Sequence, residues 1–249
     1  MNAESDFEKN FERRRQRPLV LEVRDELERM ILGGQMRAGE RLNEYSLAEQ
    51  MGVSRGPVRE AARSLERDGL VTTVSNQGVF VRSFSTQDGL ELFDLSAMVA
   101  GYVCACSAER APQETKSELR SFVDRMGKIA LAEDEDAYLT ANLELQVRIA
   151  RASGAGRAKT IYIALGKELR LMRQQNLRGK LHLIAAHAEQ ERVVTAIQHG
   201  DATTANQAIT QHYLNEKKRL SEAPSGQKIQ IQFIENEASP HDQHADPHR

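Results

Sequence analysis

Residues 52–71 read GVSRGPVREAARSLERDGLV, and the arginines in this stretch decide how the chain folds and what it does. Val58, Ala62 and Leu65 recur at helical spacing and form a core-facing stripe. Arg55 and Arg59 are four residues apart, so they share a helix face that the apolar stripe leaves free. Ser54 is placed to N-cap this helix, which should run from Arg55 to Asp68 and stop at Gly69. Pro57 falls in the first turn, where a missing N–H costs little.

The flanking sequence gives the helix its setting. LVLEVRDELERMILGG at 19–34 places Val23, Leu27, Met30 and Ile31 on one helical face, with Gly33-Gly34 as a stop. RLNEYSLAEQMG at 41–52 is a second, shorter helix that starts near Asn43 or Glu44 and is capped by Gly52. Beyond the quoted helix, VTTV and VFVRS are short β-rich runs separated by Ser75-Asn76-Gln77-Gly78, a hairpin signal. Two short helices joined by a glycine-bearing turn and followed by a hairpin make a winged helix-turn-helix over residues 18–84.

A recognition helix enters the major groove N-terminus first, and arginine is well suited to the O6 and N7 of guanine. Ser54, Arg55, Gly56, Arg59 and Arg63 are therefore candidate DNA contacts, with Tyr45 from the preceding helix. The amides near Ser54 and Arg55 offer donors to a phosphate. Asn76 and Gln77 at the hairpin tip can reach the minor groove. The competing reading is a solvated basic face whose arginines pair with Glu60, Glu66 or Asp68.

The remaining chain separates by texture. Residues 1–17 are polar and carry Arg13, Arg14, Arg15 and Arg17, a basic arm expected to be flexible and able to touch phosphates. From 86 to 222 apolar residues recur at helical spacing in six segments: 90–110, 114–132, 137–152, 158–175, 181–199 and 202–220. Pro112, Gly154, Gly156 and Gly200-Asp201 mark turns, so this is an all-helical bundle. Residues 223–249 read as a disordered tail whose His241, His244 and His248 are solvated. The fold class is mainly α.

A net charge of −2 over 249 residues places any nucleic-acid affinity in local arginines rather than in the total. The N-terminus is too polar for a secretory signal, and no apolar run comes near the roughly 20 residues that span a bilayer. Cys104 and Cys106 would point about 200° apart on one helix and read as small packing residues. A cytoplasmic chain is expected. There is no nucleophile with its base, no paired-carboxylate site, no phosphate loop and no HExxH, so an enzyme is not expected.

Three apolar faces of the bundle carry polar intruders: Asn142 and Gln146 one turn apart, Gln190, and His212. Each costs about 1–3 kcal/mol if buried without a partner, so they need one another, water or a ligand. His187 lies one turn before Gln190, and Glu144 and Glu189 are near in sequence.

RLNEYSLAEQMGVSRGPVREAARSLERDGLV resembles the winged-helix signature of the GntR superfamily of bacterial transcription regulators. The segment behind it looks like the FCD effector domain of the FadR subfamily, and the resemblance covers roughly residues 18–222. It implies a homodimer reading an inverted repeat of double-stranded DNA, more often a repressor than an activator, governed by a small-molecule effector. Where relatives read P-S-E-R-E-L-A, this chain has Leu42-Asn43-Glu44-Tyr45-Ser46-Leu47-Ala48, so Tyr45 stands at a frequent DNA-contacting arginine.

Many FCD domains hold a divalent metal with an Asp and three His. Here those positions fall on Asn142, Gln146, Gln190 and His212, and amides are poor donors to transition metals. The expectation is therefore no metal cofactor, with a polar organic effector bound directly by Asn142, Gln146, Gln190, His212, Arg148 and His187. Where relatives carry R-x-x-[LI]-E, this chain has Ser96 and Ala100, so the effector is less acidic or is anchored by Arg148 or Arg170. Two alternatives stand beside this: a metal held at an altered site through His212 and His187, and a ligand-independent DNA-binding scaffold.

Overall fold

The computed structural model describes residues 18–176 and 183–222. The basic arm, the C-terminal tail with its histidines, and positions 181–182 lie outside the described residues.

Helices α1 (Leu19–Leu32), α2 (Glu44–Met51) and α3 (Arg55–Arg67) are followed by strands β1 (Val71–Val74) and β2 (Gly78–Val81). Val23, Leu27 and Ile31 of α1 meet Val58, Ala61, Ala62 and Leu65 of α3, all buried, so the 3.6-residue stripes of the two helices build the core of this unit. Asn43 caps α2, its side chain accepting from the Tyr45 and Ser46 amides, and Gly52 ends it in the left-handed conformation at φ 66°. Ser54 occupies the N-cap place of α3 in extended backbone, but its hydroxyl makes no capping hydrogen bond, which corrects the expected cap.

The hairpin pairs Val71 with Val81 and Val74 with Gly78, and Asn76 takes the left-handed φ of 61°. A third edge was not foreseen. Residues 39–42 pair with β2 through Gly39 N–H to Val81 O at 2.9 Å, Val81 N–H to Glu40 O at 2.9 Å and Leu42 N–H to Val79 O at 2.8 Å. The segment carries Gly39 and Glu40, so no β-rich run betrays it.

Six helices follow: α4 (Thr86–Arg110), α5 (Gln113–Leu131), α6 (Glu135–Ala152), α7 (Gly156–Asn176), α8 (Leu183–His199) and α9 (Ala202–Glu222). Ser85 and Asp88 form a capping box that starts α4. α4 runs through the bundle against α6, α7, α8 and α9. It lies closest to α9, where a Cβ on Gly101 would come within 2.8 Å of Asn206 and one on Gly89 within 2.7 Å of Leu220.

α4 also revises the membrane expectation. With mean hydropathy 1.4 it is long and apolar enough, by length and composition, to cross a bilayer, and 56% of that window is buried in the bundle. A helix surrounded on several sides is apolar on several sides, as a core helix must be. Cys104 and Cys106 are both buried in it, and burial pushes the Cys104 thiol up, as suits packing residues.

Candidate DNA-reading face and bundle network

On α3, Arg55 and Arg59 point outward with side chains 60% and 51% exposed. They turn neither to Glu60 nor to Glu66. Instead the Glu44 carboxylate, in the first turn of α2, accepts from Arg59 Nη2 at 2.9 Å and Nε at 3.3 Å, and from Arg55 Nη2 at 3.4 Å. Glu66 accepts the Thr73 amide at 2.8 Å, and Asp68 pairs with Arg24. The hydrogen bond from Arg59 holds the Glu44 carboxyl below its ordinary range.

Arg63, Tyr45, Ser54, Gly56, Asn76 and Gln77 are all exposed, Tyr45 next to Glu44 in α2 and Asn76 with Gln77 at the wing tip. Arg41, which sequence reasoning passed over, lies across Gly78 next to the wing tip, where a Cβ would meet its guanidinium at 3.1 Å. Only the third pairing edge brings Arg41 there.

Inside the bundle, Asn142, Gln190 and His212 meet. The Gln190 side-chain amide donates to Asn142 Oδ1 at 3.1 Å and lies 3.1 Å from His212 Nε2. His212 Nδ1 lies 2.6 Å from Glu189 Oε2. A neutral ring with its proton on Nδ1 satisfies both contacts, donating to the carboxylate and accepting from Gln190. Glu189 also accepts from Asn215 at 2.7 Å and Arg219 at 3.0 Å. Arg219 continues to Glu216 at 2.6 Å, and Arg173 faces the same carboxylate at 3.6 Å.

Glu216, Arg173 and Arg219 escaped sequence reasoning because charged side chains read as surface residues, and the sequence marks Glu189 only as a chain neighbour of Gln190. Only the helical register of Glu216 with His212 and of Arg173 with Leu169 could have exposed those two.

Three candidates stand apart from this network. Gln146 donates to the Tyr213 hydroxyl at 3.2 Å, and its Oε1 presses on α7, where a Gly166 Cβ would sit 2.1 Å away. Arg148 pairs with Glu144 at 2.5 Å and stacks 4.6 Å above the Phe122 ring, at the rim of α6. Its i,i+4 partner competes for it, so it is not an inward anchor. His187 turns toward Gly127 of α5 and the edge of Tyr138, because the three-residue step to Gln190 leaves it about 60° around α8, on the side that faces α5. Arg170 is also elsewhere: its Nε caps the Leu32 carbonyl at the end of α1, at 3.0 Å. Ser96 is buried in α4 with its hydroxyl unpartnered.

The donor set does not suit a divalent metal. Glu189, His212 and Glu216 bring their ligating atoms within 4.8 Å of one another. Both carboxylates already hold guanidinium groups, so an added dication would leave a buried excess of positive charge. At the family's metal position, the Gln190 amide closes Asn142 onto His212 directly.

Burial tends to raise the Glu189 carboxyl, but hydrogen bonds from His212, Arg219 and Asn215 outweigh it and hold it at about 2, against an ordinary 4.5. Burial likewise tends to raise Glu216, but Arg173, His212 and Arg219 together outweigh it and hold it below its ordinary range. Both folded values lie below the unfolded ones, so their stabilisation is present above pH 4.5 and is lost as pH falls, for Glu189 down toward about 2. Unfolding titrations should show stability dropping through that window, and a Glu189→Gln variant should drop less steeply over it.

α7 faces two ways. Arg173 meets the bundle network at Glu216, while Tyr162 and Gly166 meet Tyr213 and Gln146 beside it, Tyr162 through the Tyr213 hydroxyl at 3.5 Å. Lys167 and Glu168 meet the winged-helix unit, Lys167 at Glu28, 2.8 Å, and Glu168 at Arg82, 2.8 Å. Gln174 joins Arg170 on the Leu32 carbonyl.

Residues 19–81 match the family of bacterial regulatory proteins described as gntR, and residues 91–215 match the FCD domain. The chain is a GntR-family transcriptional regulator. This GntR regulator is 26% identical to a probable D-xylose utilization operon transcriptional repressor of Paenarthrobacter nicotinovorans, over 77% of this chain and 84% of that one. It is 35% identical to the Nta operon transcriptional regulator of Aminobacter aminovorans, over 42% of this chain, and spans about half of that relative, 51%. A putative GntR regulator from Rhodococcus shares the fold at TM-score 0.69 and 22% identity, covering 82% of this chain and 98% of that one.

Proposed function

We propose that this regulator is a repressor that binds double-stranded DNA through α3, with Arg55 and Arg59 at base edges and Arg63, Tyr45, Ser54 and Gly56 on the flanking backbone. Asn76 and Gln77 enter the minor groove. The observation that carries this is the outward pair of guanidinium groups at the leading end of a helix packed rigidly on α1. A repressor among its relatives supports the direction of control.

The working form is a cytoplasmic homodimer on an inverted repeat. Leu95, Met98 and Tyr102 form an exposed apolar face of α4, 52%, 74% and 53% exposed, that a second copy would cover. A small polar organic molecule at the bundle network shifts the heads through α7, whose two faces touch both units.

Footprinting on DNA beside the protein's own gene tests the first claim, and protection of two half-sites about one helical turn apart is the expected result. Random protection along the fragment rejects it. Melting against sugars, organic acids, amino acids and aromatic acids tests the second, since a ligand at a hundredfold excess over Kd stabilises by about 2.7 kcal/mol. The ligand-independent scaffold is the second reading, favoured by the hydrogen bonds that Asn142, Gln190, His212 and Glu189 already make to one another. No shift with any class would favour it.

A further inference from the structure

We infer that Glu44 is a specificity-determining residue: by bridging Arg55 and Arg59 it keeps both forks aimed at base edges and withholds them from arbitrary phosphates. The inference rests on the DNA-reading role of α3 proposed above. Glu44 belongs to α2, not to the helix that carries the arginines, and its carboxylate touches both through three guanidinium nitrogens at 2.9–3.4 Å. The Asn43 cap fixes the turn it stands on, with bonds of 3.1 and 3.2 Å to the Tyr45 and Ser46 amides. A clamp seated on a capped turn holds position better than one on a free loop.

Stability does not explain the arrangement. Exposed ion pairs contribute little to folding, and both arginines remain more than half exposed. A carboxylate beside a DNA-reading face repels the phosphate backbone, which weakens binding to every sequence alike. Two effects make that loss useful. Phosphate attraction supplies the sequence-independent part of affinity, so reducing it widens the gap between specific and arbitrary DNA. An arginine fork reads guanine bidentately only when its plane is fixed, and Glu44 fixes two of them. A released arginine has no such constraint and settles on the nearest phosphate. Glu44 can also accept from a cytosine N4 amine beside a guanine that Arg59 reads.

The test compares wild type, Glu44→Gln and Glu49→Gln in the full-length chain. Glu49 is an exposed carboxylate on the same helix with no part in the clamp, and its variant controls for charge alone. Each protein selects from a random duplex pool, and its affinity for the selected site and for an arbitrary duplex is followed with salt. Glu44→Gln should bind the arbitrary duplex more tightly, steepen its salt dependence, and lose about tenfold or more in the ratio of selected to arbitrary affinity. Its melting temperature should match wild type. Glu49→Gln should keep the ratio. The inference is overturned if Glu44→Gln keeps its ratio, behaves as Glu49→Gln does, or weakens on both duplexes equally. A wild type that selects no sequence at all would instead remove the DNA-reading role on which it stands.

Discussion

Replacing Arg173 with methionine lowers the unfolding free energy by about 3–5 kcal/mol, the range for leaving one member of a buried ion pair without its partner. Arg173 is 4% exposed and the Glu216 it faces is 3% exposed, so water cannot take over the lost interaction. Arg219 still touches Glu216, and also Glu189, so one guanidinium is left between two carboxylates. The response should be protonation of Glu216, which makes the penalty smaller at pH 4 than at pH 7. Urea titrations at both values check this. The double variant Arg173→Met, Glu216→Gln should recover most of the loss, because removing both charges also removes their desolvation. An Arg173→Met protein as stable as wild type at pH 7 would mean that the pair contributes nothing net, and that Arg219 alone balances the carboxylate.

That ion pair marks where the sequence stopped being legible. The helices of the bundle were readable because apolar residues at helical spacing declare a buried face whatever lies opposite. The winged helix was readable because glycines and Asn76 sit where positive φ is required, and Gly52 and Asn76 adopt it at 66° and 61°. Asn142, Gln190 and His212 were legible as polar residues in apolar stripes, and they do meet. Their partners were not, since Glu189, Glu216 and Arg173 become buried, and Arg219 half-buried, only when three helices converge, and no single helix announces that. Arg148 and His187 fail for the opposite reason. Sequence distance from Gln190 or Gln146 suggests company, but a helix turns 100° per residue, and a neighbour in the chain can face Phe122 or Gly127 instead. The residue at the centre of the reading face, Glu44, was seen only as a possible helix start. Its meeting with Arg59 joins residues 15 apart across a turn that periodicity does not describe.

Arg59→Ala should cost roughly 1–3 kcal/mol of affinity for the selected site and relax base preference at one position, with Arg55→Ala doing so at another. Arg59 makes the fuller contact with Glu44, through both Nε and Nη2, so its fork is held the more firmly and its variant should show the larger loss of discrimination. Arg59→Lys should resemble the alanine variant in base preference, because a lysine restores the charge but not the planar fork. The two arginines share one carboxylate, which makes their losses non-additive. With either present, Glu44 keeps a counter-charge; with both gone, it faces the phosphates bare. The double variant should therefore lose more than the single losses combined, and adding Glu44→Gln should return that excess. Binding isotherms for wild type, the two single variants, the double and the triple on the selected and an arbitrary duplex decide it. Strict additivity would mean that the arginines act independently and that Glu44 is a bystander. A uniform loss across all sequences would mean that they hold phosphates and read no base.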